Sequence, residues 1–468
     1  MKKITIMKFG GSCLRDSESF SKTLNIITQF QEPDTSLVFV CSAVSGVTNY
    51  LLSAAEKSEN PRADPQTFIE ELKNKHYRII ESVIKDKWAK EAKKFIDTML
   101  NELKVKFDEI QKYGLSDKNL EFVLSYGERL STYIFTQFLK YKGINAEYIS
   151  ADDDLIVINR NNLPLMDLIE NYVQNKIYPL CSKNISPAIT GYIARNEDGE
   201  IVTLGRGGSD LTTTLIASGL QNEPKYALNI ILWKDVHGLY SSDPKLTQKA
   251  KLIPYISYAE ARELAFFGTK ILHPLCIFPA EQKKVPIEIR CFDHPDSSNF
   301  TIIGPAKHIK SDIVKAISVM KDVAMVTVEG EAMVSRPGTA AKVFDLMGKN
   351  NVNILMISQS SSENNITFLV SLDDGEKAKD VLINSDFFGK SSYFLKLKRE
   401  LNVSLIAIVG AGMQHTPGVA GRIFTALGRN NVNIRAIAQG SSELNISIVI
   451  LKRDIEKAIQ AIYEEFQL

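Results

Sequence analysis

Short apolar stretches alternate with longer amphipathic ones over roughly the first three hundred residues of the chain. The apolar stretches at residues 5–9, 36–41, 201–204 and 227–233 predict buried strands, and charged or amphipathic segments separate them. This alternation predicts an α/β layer with a largely parallel sheet.

Residues 64–112 are rich in Lys and Glu and carry apolar residues at helical spacing, which predicts a pair of solvated amphipathic helices. Proline, glycine and a Ser-Ser-Asn cluster interrupt residues 292–312. We therefore expect this segment to be a connector.

An internal repeat follows the connector. Residues 323–370 align without a gap to residues 403–450, and about 20 of 48 positions are identical. Each copy predicts a strand, a loop containing Pro-Gly, a helix (340–349 and 420–429) and two further strands. Two βαββ units in tandem indicate a C-terminal region built from two modules.

Composition and charge exclude several classes of protein. The chain is 44% hydrophobic and 24% charged, as in globular proteins, and its net charge of +1 argues against a general binder of nucleic acid or anionic membranes. Five widely spaced cysteines without a CxxC argue against a disulfide framework or a zinc site. Because no stretch resembles a signal peptide or a membrane span, we expect a cytoplasmic protein.

Two glycine-rich segments are candidates for phosphate binding. In the first, a strand delivers Lys8 and then Gly10 and Gly11, whose backbone amides can closely approach phosphate oxygens. It is not a Walker sequence, and taken alone the segment is better explained as a strand that ends in a glycine turn.

The second segment, residues 203–210, lies between a strand and the helical residues 211–219. Backbone amides at a helix N-terminus favour an anion. A capped helix start, with Ser209 or Asp210 as N-cap, is the simpler alternative. It explains neither Arg206 nor a second glycine-rich loop, so the two segments together indicate nucleotide chemistry.

Six motifs in order along the chain, together with the repeat, resemble the aspartokinase family with its paired ACT modules. The motifs are residues 8–12, 42–49, 125–131, 205–210, 242–244 and 267–274. The resemblance implies an α/β amino acid kinase fold, a central and mainly parallel sheet between helices, followed by two βαββ ACT modules. It places the catalytic domain at residues 1–305 and the ACT modules at 306–398 and 399–468.

The resemblance also implies a reaction, in which ATP and L-aspartate give ADP and 4-phospho-L-aspartate with Mg²⁺. Its implied catalytic residues are Lys8, which stabilises the transferring phosphoryl group, and Asp210, which organises that lysine. The residues implied to hold aspartate are Ser42, Thr48, Glu128, Tyr192, Arg206 and Ser209. Those implied to hold ATP are Lys8, Phe9, Gly10, Gly11, Ser12, Lys234, Asp235, Tyr240, Lys245, Lys270 and Ile271. Two residues depart from the family pattern, since Lys234 replaces a usual threonine and Lys245 a usual arginine.

The repeat further resembles the regulatory region of aspartokinases that are sensitive to threonine, and lysine is the second candidate effector. The residues expected to bind the effector are Pro337, Gly338, Asn353, Ile354, Gln359 and Gln439. A glutamine amide offers both a donor and an acceptor to a neutral polar ligand, although these glutamines could instead cap strand ends or line a dimer seam. Pairing of ACT modules implies a homodimer or a homotetramer.

Two other functions are compatible with the same residues. One is another kinase that forms an acyl phosphate, such as an acetylglutamate or glutamate kinase. The other is a catalytically silent sensor of amino acids. Because the second repeat runs directly to Leu468, we expect a monofunctional chain without a fused homoserine dehydrogenase.

Overall fold

The computed structural model describes residues 2–221, 226–267, 271–306, 312–330, 333, 337–386 and 395–468. The chain divides into two compact units. The first consists of Met1–Leu239, Leu252–Arg262 and Lys270–Ala306, and the second of Tyr240–Lys251, Glu263–Thr269 and Lys307–Leu468. The three domains expected from the sequence, with their bounds, stay predictions.

The first unit is a mixture of strands and helices. Its strands are β1 (Lys2–Phe9), β2 (Thr35–Cys41), β3 (Ala146–Ile149), β4 (Val157–Ile158), β5 (Ser186–Thr190), β6 (Ile193–Asn196), β7 (Ile201–Thr203), β8 (Tyr226–Lys234), β9 (Tyr255–Ser257), β10 (Ile287–Cys291) and β11 (Thr301–Gly304). Its helices are α1 (Ser17–Phe30), α2 (Val47–Ser58), α3 (Pro65–Val83), α4 (Asp86–Tyr113), α5 (Asp117–Tyr141), α6 (Met166–Lys176), α7 (Tyr178–Ser182), α8 (Gly208–Leu220) and α10 (Ile277–Gln282), while α9 (Tyr258–Phe266) crosses into the second unit.

Eight strands form the main sheet in the order β3-β5-β2-β1-β8-β10-β11-β9. All neighbours are parallel except β10 and β11, which confirms the predicted largely parallel sheet. Consecutive side chains of a strand point to opposite faces. In β1, Phe9 contacts Phe135 of α5 while Lys8 contacts Asp210 of α8, so these two helices cover opposite faces of the sheet.

Two expectations about this unit need correction. Residues 201–204 do not form a buried strand of the main sheet, because β7 is only half-buried and pairs antiparallel with β6 in a separate sheet of order β4-β6-β7. The expected connector at residues 292–312 contains β11, which pairs with β10 and β9 in the main sheet. Its apolar residues Ile302 and Ile303 supply that pairing in spite of the flanking prolines.

The predicted amphipathic pair is confirmed as α3 and α4. Asp64 caps α3 by accepting a hydrogen bond from the Gln66 amide at 3.1 Å, and Pro65 occupies the first turn, where no amide donor is needed. The buried side chains of α4 recur every three or four residues from Ala92 to Ile110, so one apolar face of the helix joins the core.

The second unit contains the repeat. Its strands are β12 (Ala316–Glu329), β13 (Met356–Gln359), β14 (Asn365–Ser371), β15 (Lys396–Val409), β16 (Ala436–Gln439) and β17 (Asn445–Leu451). Its helices are α11 (Thr339–Lys349), α12 (Asp374–Ile383), α13 (Val419–Arg429) and α14 (Ile455–Phe466). The two predicted βαββ units are therefore present, and each is followed by a helix that the repeat alignment did not include.

The two copies form one antiparallel sheet of order β13-β14-β12-β15-β17-β16. The edge strands approach each other, since the Ser358 hydroxyl of β13 donates to the Ile437 carbonyl of β16 at 3.0 Å. Each copy keeps its own apolar core beneath the sheet. Among all described residues, no helix is both long and apolar enough to cross a bilayer.

Candidate active site in the first unit

Lys8, Asp210 and Lys234 form a buried ion-pair cluster in the first unit. Lys8 Nζ lies 3.1 Å from Asp210 Oδ1, and Lys234 Nζ lies 2.6 Å from Asp210 Oδ2. Burial by itself would raise the pKa of the Asp210 carboxyl, but the two ammonium groups outweigh it and hold that pKa below its usual range. The two ammonium groups therefore favour the ionised form of Asp210.

The glycine-rich loop after β1 lies directly beside this cluster. A Cβ added at Gly10 would lie 3.6 Å from Lys8 Nζ, so the ammonium group sits against the loop backbone. A Cβ at Gly11 would lie only 2.6 Å from the Ala43 carbonyl oxygen, which requires glycine there. Gly11 and Ser12 begin a short 3₁₀ turn, whereas the Phe9 side chain is fully buried in the core, leaving only its backbone for a ligand.

The first turn of α8 contributes Asp210 to the cluster. Its N-cap is Gly207 in the left-handed region (φ +76°), so neither Ser209 nor Asp210 is the N-cap and both lie in the first turn. A Cβ at Gly207 would lie 2.5 Å from the Cβ of His273. The Ser42 hydroxyl, which follows β2, donates to Ser209 Oγ at 2.9 Å, so the sheet edge and α8 meet through two hydroxyl groups.

Glu128 lies on α5 with 3% of its surface exposed. Its Oε1 accepts a hydrogen bond from the Ala43 amide at 3.0 Å, whereas its Oε2 is buried and has no hydrogen-bond partner among the described residues. Burial raises the pKa of this carboxyl to about 8, although the amide and Lys8 oppose the shift. An incoming cation would satisfy Oε2, which suits the ammonium group of an amino acid.

Three further residues expected to bind aspartate, Tyr192, Arg206 and Thr48, differ in their exposure. Tyr192 is half-buried and adopts a left-handed backbone (φ +70°), which is uncommon for a residue with a side chain. Its carbonyl accepts from the Leu204 amide at 2.7 Å, which ties it to the loop before α8. Arg206 is exposed on that loop, and Thr48 is half-buried in the first turn of α2.

The remaining residues expected to bind the nucleotide are divided between the two units. Asp235 is exposed directly after β8, and Ile271 is partly buried in the first unit. Tyr240 and Lys245 belong to the second unit. Lys270 lies outside the described residues, so its assignment stays a prediction.

Sequence reasoning missed two residues that shape the site. The Ser131 hydroxyl of α5 donates to the Ser42 carbonyl at 2.7 Å, and Lys75 Nζ of α3 donates to the Ser45 carbonyl at 2.7 Å. Ser131 lies within a recognised motif and could have been singled out there. Lys75 belongs to a lysine-rich amphipathic helix, where nothing distinguishes it from solvated lysines.

The residues expected to bind an effector occupy the second unit. A cavity of about 320 Å³ is lined by Pro337, Gly338 and Gln359, together with Met333, Thr339, Ala340, Glu363 and Ile366. Gln439 is exposed at the end of β16, the counterpart of Gln359 at the end of β13. Asn353 is exposed and Ile354 packs against the core of the first repeat, and neither lines this cavity.

Comparison with known proteins decides the family. The sequence profile described as "Amino acid kinase family" matches residues 3–291, more than half of the chain. The chain belongs to the amino acid kinase family. The ACT domain profile matches residues 326–385 and 406–466, which correspond to the two repeats of this amino acid kinase.

Related sequences and structures agree with this assignment. The chain is 32% identical to a bifunctional aspartokinase/homoserine dehydrogenase of Buchnera aphidicola, over 98% of this chain and 56% of that protein. It is 29% identical to the chloroplastic aspartokinase 1 of Arabidopsis thaliana, over 98% of this chain and 80% of that one. This amino acid kinase thus spans about half the length of the bifunctional relatives it matches. The expectation of a monofunctional protein stays a prediction.

Two solved structures show the same fold over nearly the full chain. Escherichia coli aspartokinase III, in a complex with aspartate and ADP described as the R-state, gives a TM-score of 0.80 at 23% identity and covers 100% of both chains. The aspartate kinase of Clostridium acetobutylicum gives 0.77 at 25% identity and covers 99% of both. The predicted fold class, an amino acid kinase sheet with two ACT modules, is confirmed.

Proposed function

We propose that this protein is an aspartate kinase, which transfers the terminal phosphoryl group of ATP to the β-carboxylate of L-aspartate and releases ADP and 4-phospho-L-aspartate. This reaction would be the first step towards lysine, threonine and methionine. The observation that carries the proposal is the convergence of Lys8 and Asp210 with Ser42, Ser209 and Glu128 at one place in the first unit. The relatives, which are named as aspartokinases, support the choice of substrate.

The chemistry of the reaction suits these groups. A carboxylate nucleophile needs no general base at neutral pH, so the protein must align two anions and neutralise the charge between them. Lys8 supplies a positive charge beside the Gly10 backbone. Glu128 would accept the substrate ammonium, and the exposed guanidinium of Arg206 could hold its α-carboxylate with two parallel hydrogen bonds.

The site fits a nucleotide phosphate better than a metal bound by protein alone. The loop leaves no room for a side chain at Gly11, and the amides of the first turn of α8 favour an anion. Both oxygens of Asp210 face lysines, and no group of three or more metal-binding side chains occurs in the described ranges. We therefore propose that Mg²⁺ arrives with the phosphates of ATP, with the exposed Asp235 carboxylate available as a ligand.

We further propose feedback control by threonine, with lysine as the second candidate, and assembly of two or four chains through the ACT modules. The cavity at Gln359 has the amide and the helix start that a neutral amino acid would use. Glu363 also lines it and could accept the ammonium of either ligand. A solved relative with lysine and aspartate, described as the T-state, supports regulation by an amino acid.

The decisive experiment measures ADP release with aspartate, glutamate and acetylglutamate, each with and without Mg²⁺, while hydroxylamine traps the acyl phosphate as a hydroxamate. We expect turnover with aspartate and Mg²⁺ only. Lys8→Ala should lower kcat by at least ~100-fold, the scale of losing one electrostatic stabiliser, with a much smaller change in substrate binding. Equal turnover with glutamate or acetylglutamate would favour another acyl-phosphate kinase. Absence of any turnover would favour the amino-acid sensor.

A further inference from the structure

Lys234 occupies the same face and the same edge of the main sheet as Lys8. The parallel strands β1 and β8 are neighbours, with Lys8 opposite Leu232. Lys234 follows Leu232 by two residues, and residues two apart on a strand point to the same face. Both ammonium groups therefore project towards α8, where each contacts a different oxygen of Asp210.

The cluster of Lys8, Asp210 and Lys234 is poorly solvated. Its side chains are 10%, 4% and 15% exposed, respectively. Burial and the nearby Lys8 lower the pKa of Lys234, while Asp210 opposes that shift. In their charged forms the two lysines share one carboxylate, so one positive charge has no counter-charge inside the cluster. A charge in this situation is costly unless an anion completes the site.

The need to neutralise Asp210 does not by itself require Lys234. Lys8 already supplies one counter-charge at Oδ1, and a neutral hydrogen-bond donor would satisfy Oδ2. A lysine supplies the same hydrogen bond and adds a full charge. Its ammonium has three donors, and one of them bonds to Asp210, its hydrogen-bond partner among the residues that the structure describes. The other two donors can serve another acceptor.

We propose that Lys234 is a second cation that contacts the terminal phosphoryl group of ATP, beside Lys8. This inference rests on the proposed kinase function and assigns Lys234, one of the residues implied to hold ATP, to the terminal phosphoryl group. In the reaction, the bond from phosphorus to the ADP oxygen breaks and a bond to the aspartate carboxylate oxygen forms. Lys234 keeps its proton throughout and offsets the negative charge on the transferring oxygens.

The test compares a non-hydrolysable ATP analogue with ADP, both with Mg²⁺, by calorimetry on the full chain. Loss of a charged hydrogen bond costs about 1.5–3 kcal/mol, so Lys234→Met should weaken binding of the analogue ~10- to 100-fold. Binding of ADP should change less than about 3-fold, because ADP lacks the terminal phosphate. Lys234→Thr should resemble Lys234→Met, and Lys234→Arg should restore part of the affinity because it restores the charge.

A matched control is Lys183→Met, which removes an exposed lysine after α7 and should change neither affinity. Steady-state assays of the same variants should show kcat reduced ~10-fold or more for Lys234→Met, with the KM for aspartate little changed. If Lys234→Met does not fold, Lys234→Thr and Lys234→Arg carry the comparison. Equal weakening of both nucleotides in these variants would overturn the proposal and leave Lys234 as a structural counter-charge.

The two proposals fail separately. Suppose that the Lys234 variants weaken binding of the ATP analogue but not of ADP, while the wild-type protein does not phosphorylate aspartate. The choice of substrate is then wrong, and the role of Lys234 stands. If aspartate is phosphorylated and both Lys234→Thr and Lys234→Met keep kcat within about 2-fold, Lys234 has no part in the transfer. A wild-type protein that binds neither nucleotide would overturn both.

Discussion

Asp210 and Glu128 are both buried carboxylates, yet their pKa values move in opposite directions. Asp210 faces two ammonium groups, and these hold it ionised against the effect of burial. Glu128 accepts a hydrogen bond from one backbone amide at Oε1, and its Oε2 has no hydrogen-bond partner in the described part of the chain, so burial dominates and raises its pKa to about 8. The partners of each residue therefore decide its charge. A cation bound beside Glu128 would favour loss of the proton from its carboxyl group.

This difference predicts a pH dependence of aspartate binding. The substrate ammonium favours ionised Glu128, so binding must release the proton that Glu128 carries below about pH 8. The affinity for aspartate should rise as the pH increases from about 6 to 8 and then level off. Glu128→Gln should weaken binding ~10- to 100-fold and remove this pH dependence. Calorimetric titration of both proteins checks this, and a wild-type affinity that stays constant across that range would contradict it.

The raised pKa of Glu128 also predicts an effect of pH on the stability of the unliganded protein. Between its ordinary pKa of 4.5 and about 8, the folded state holds a proton on Glu128 that the unfolded state has lost. The free energy of unfolding should therefore fall as the pH rises through this window, and Glu128→Gln should reduce that slope. Urea denaturation at the two ends of the window measures the difference. Equal slopes would show that Glu128 is ionised in the free protein.

At the scale of elements, two glycines bring three segments into contact around Ala43. Cβ atoms added at Gly11 and at Gly127 would lie 2.6 Å from the Ala43 carbonyl oxygen and 2.8 Å from its Cβ, respectively. The loop after β1, the loop after β2 and α5 can therefore approach one another closely. That approach brings the Ala43 amide to Glu128 and places the glycine-rich loop beside the substrate side of the site.

Gly11→Ala and Gly10→Ala form a matched pair that tests this contact. The new Cβ at position 11 would strike backbone atoms that cannot move freely, so Gly11→Ala should destabilise the protein by about 1–3 kcal/mol and impair turnover. At position 10 the nearest atoms are 3.6 Å and 3.9 Å away, which is ordinary contact, and φ is −72°. Gly10→Ala should therefore cost less stability. Denaturant unfolding compares the two, and equal losses would rule out the steric explanation.

At the scale of the whole molecule, two kinds of sequence pattern produce two units of different architecture. The first unit buries a mainly parallel sheet between helices, and the second unites two copies of one repeat in a single antiparallel sheet. Segments 240–251 and 263–269, far from the repeat in sequence, belong to the second unit. There the Ser241 hydroxyl pairs with the Tyr463 hydroxyl at 2.6 Å, and the Ser318 hydroxyl donates to the Phe267 carbonyl at 2.7 Å.

At this scale we predict that an amino acid inhibits the enzyme by binding to the second unit. Activity measured against threonine and lysine separately should fall with threonine. Gln359→Ala and Gln439→Ala should each weaken this inhibition, by about 10-fold in the inhibitory concentration if a hydrogen bond to the effector is lost. Gln66→Ala, an exposed glutamine of α3 in the first unit, is the control and should leave inhibition unchanged. Inhibition by lysine alone would make lysine the effector, and undiminished inhibition in both variants would remove the glutamines from the binding site.

The sequence alone sufficed for features that depend on local pattern. Alternation of polarity located β1, β2 and β8, helical spacing located α3 and α4, and the duplicated segment located both repeats. Glycine and lysine at a strand end marked the loop beside Lys8. Each of these signals lies within a few tens of residues, because propensity, side-chain periodicity and turn chemistry are properties of neighbours along the chain.

Only the tertiary structure decided which distant residues meet. It placed residues 201–203 in a small separate sheet, added β11 to the main sheet, and gave the loop after β2 its contacts with Ser131 and Lys75. It also set Asp210 between Lys8, far away along the chain, and Lys234. Strand order and helix packing determine such meetings, and the charge of Glu128 follows from the burial they create. Neither these long-range contacts nor the burial of Glu128 can be predicted from the residues next to it in the sequence.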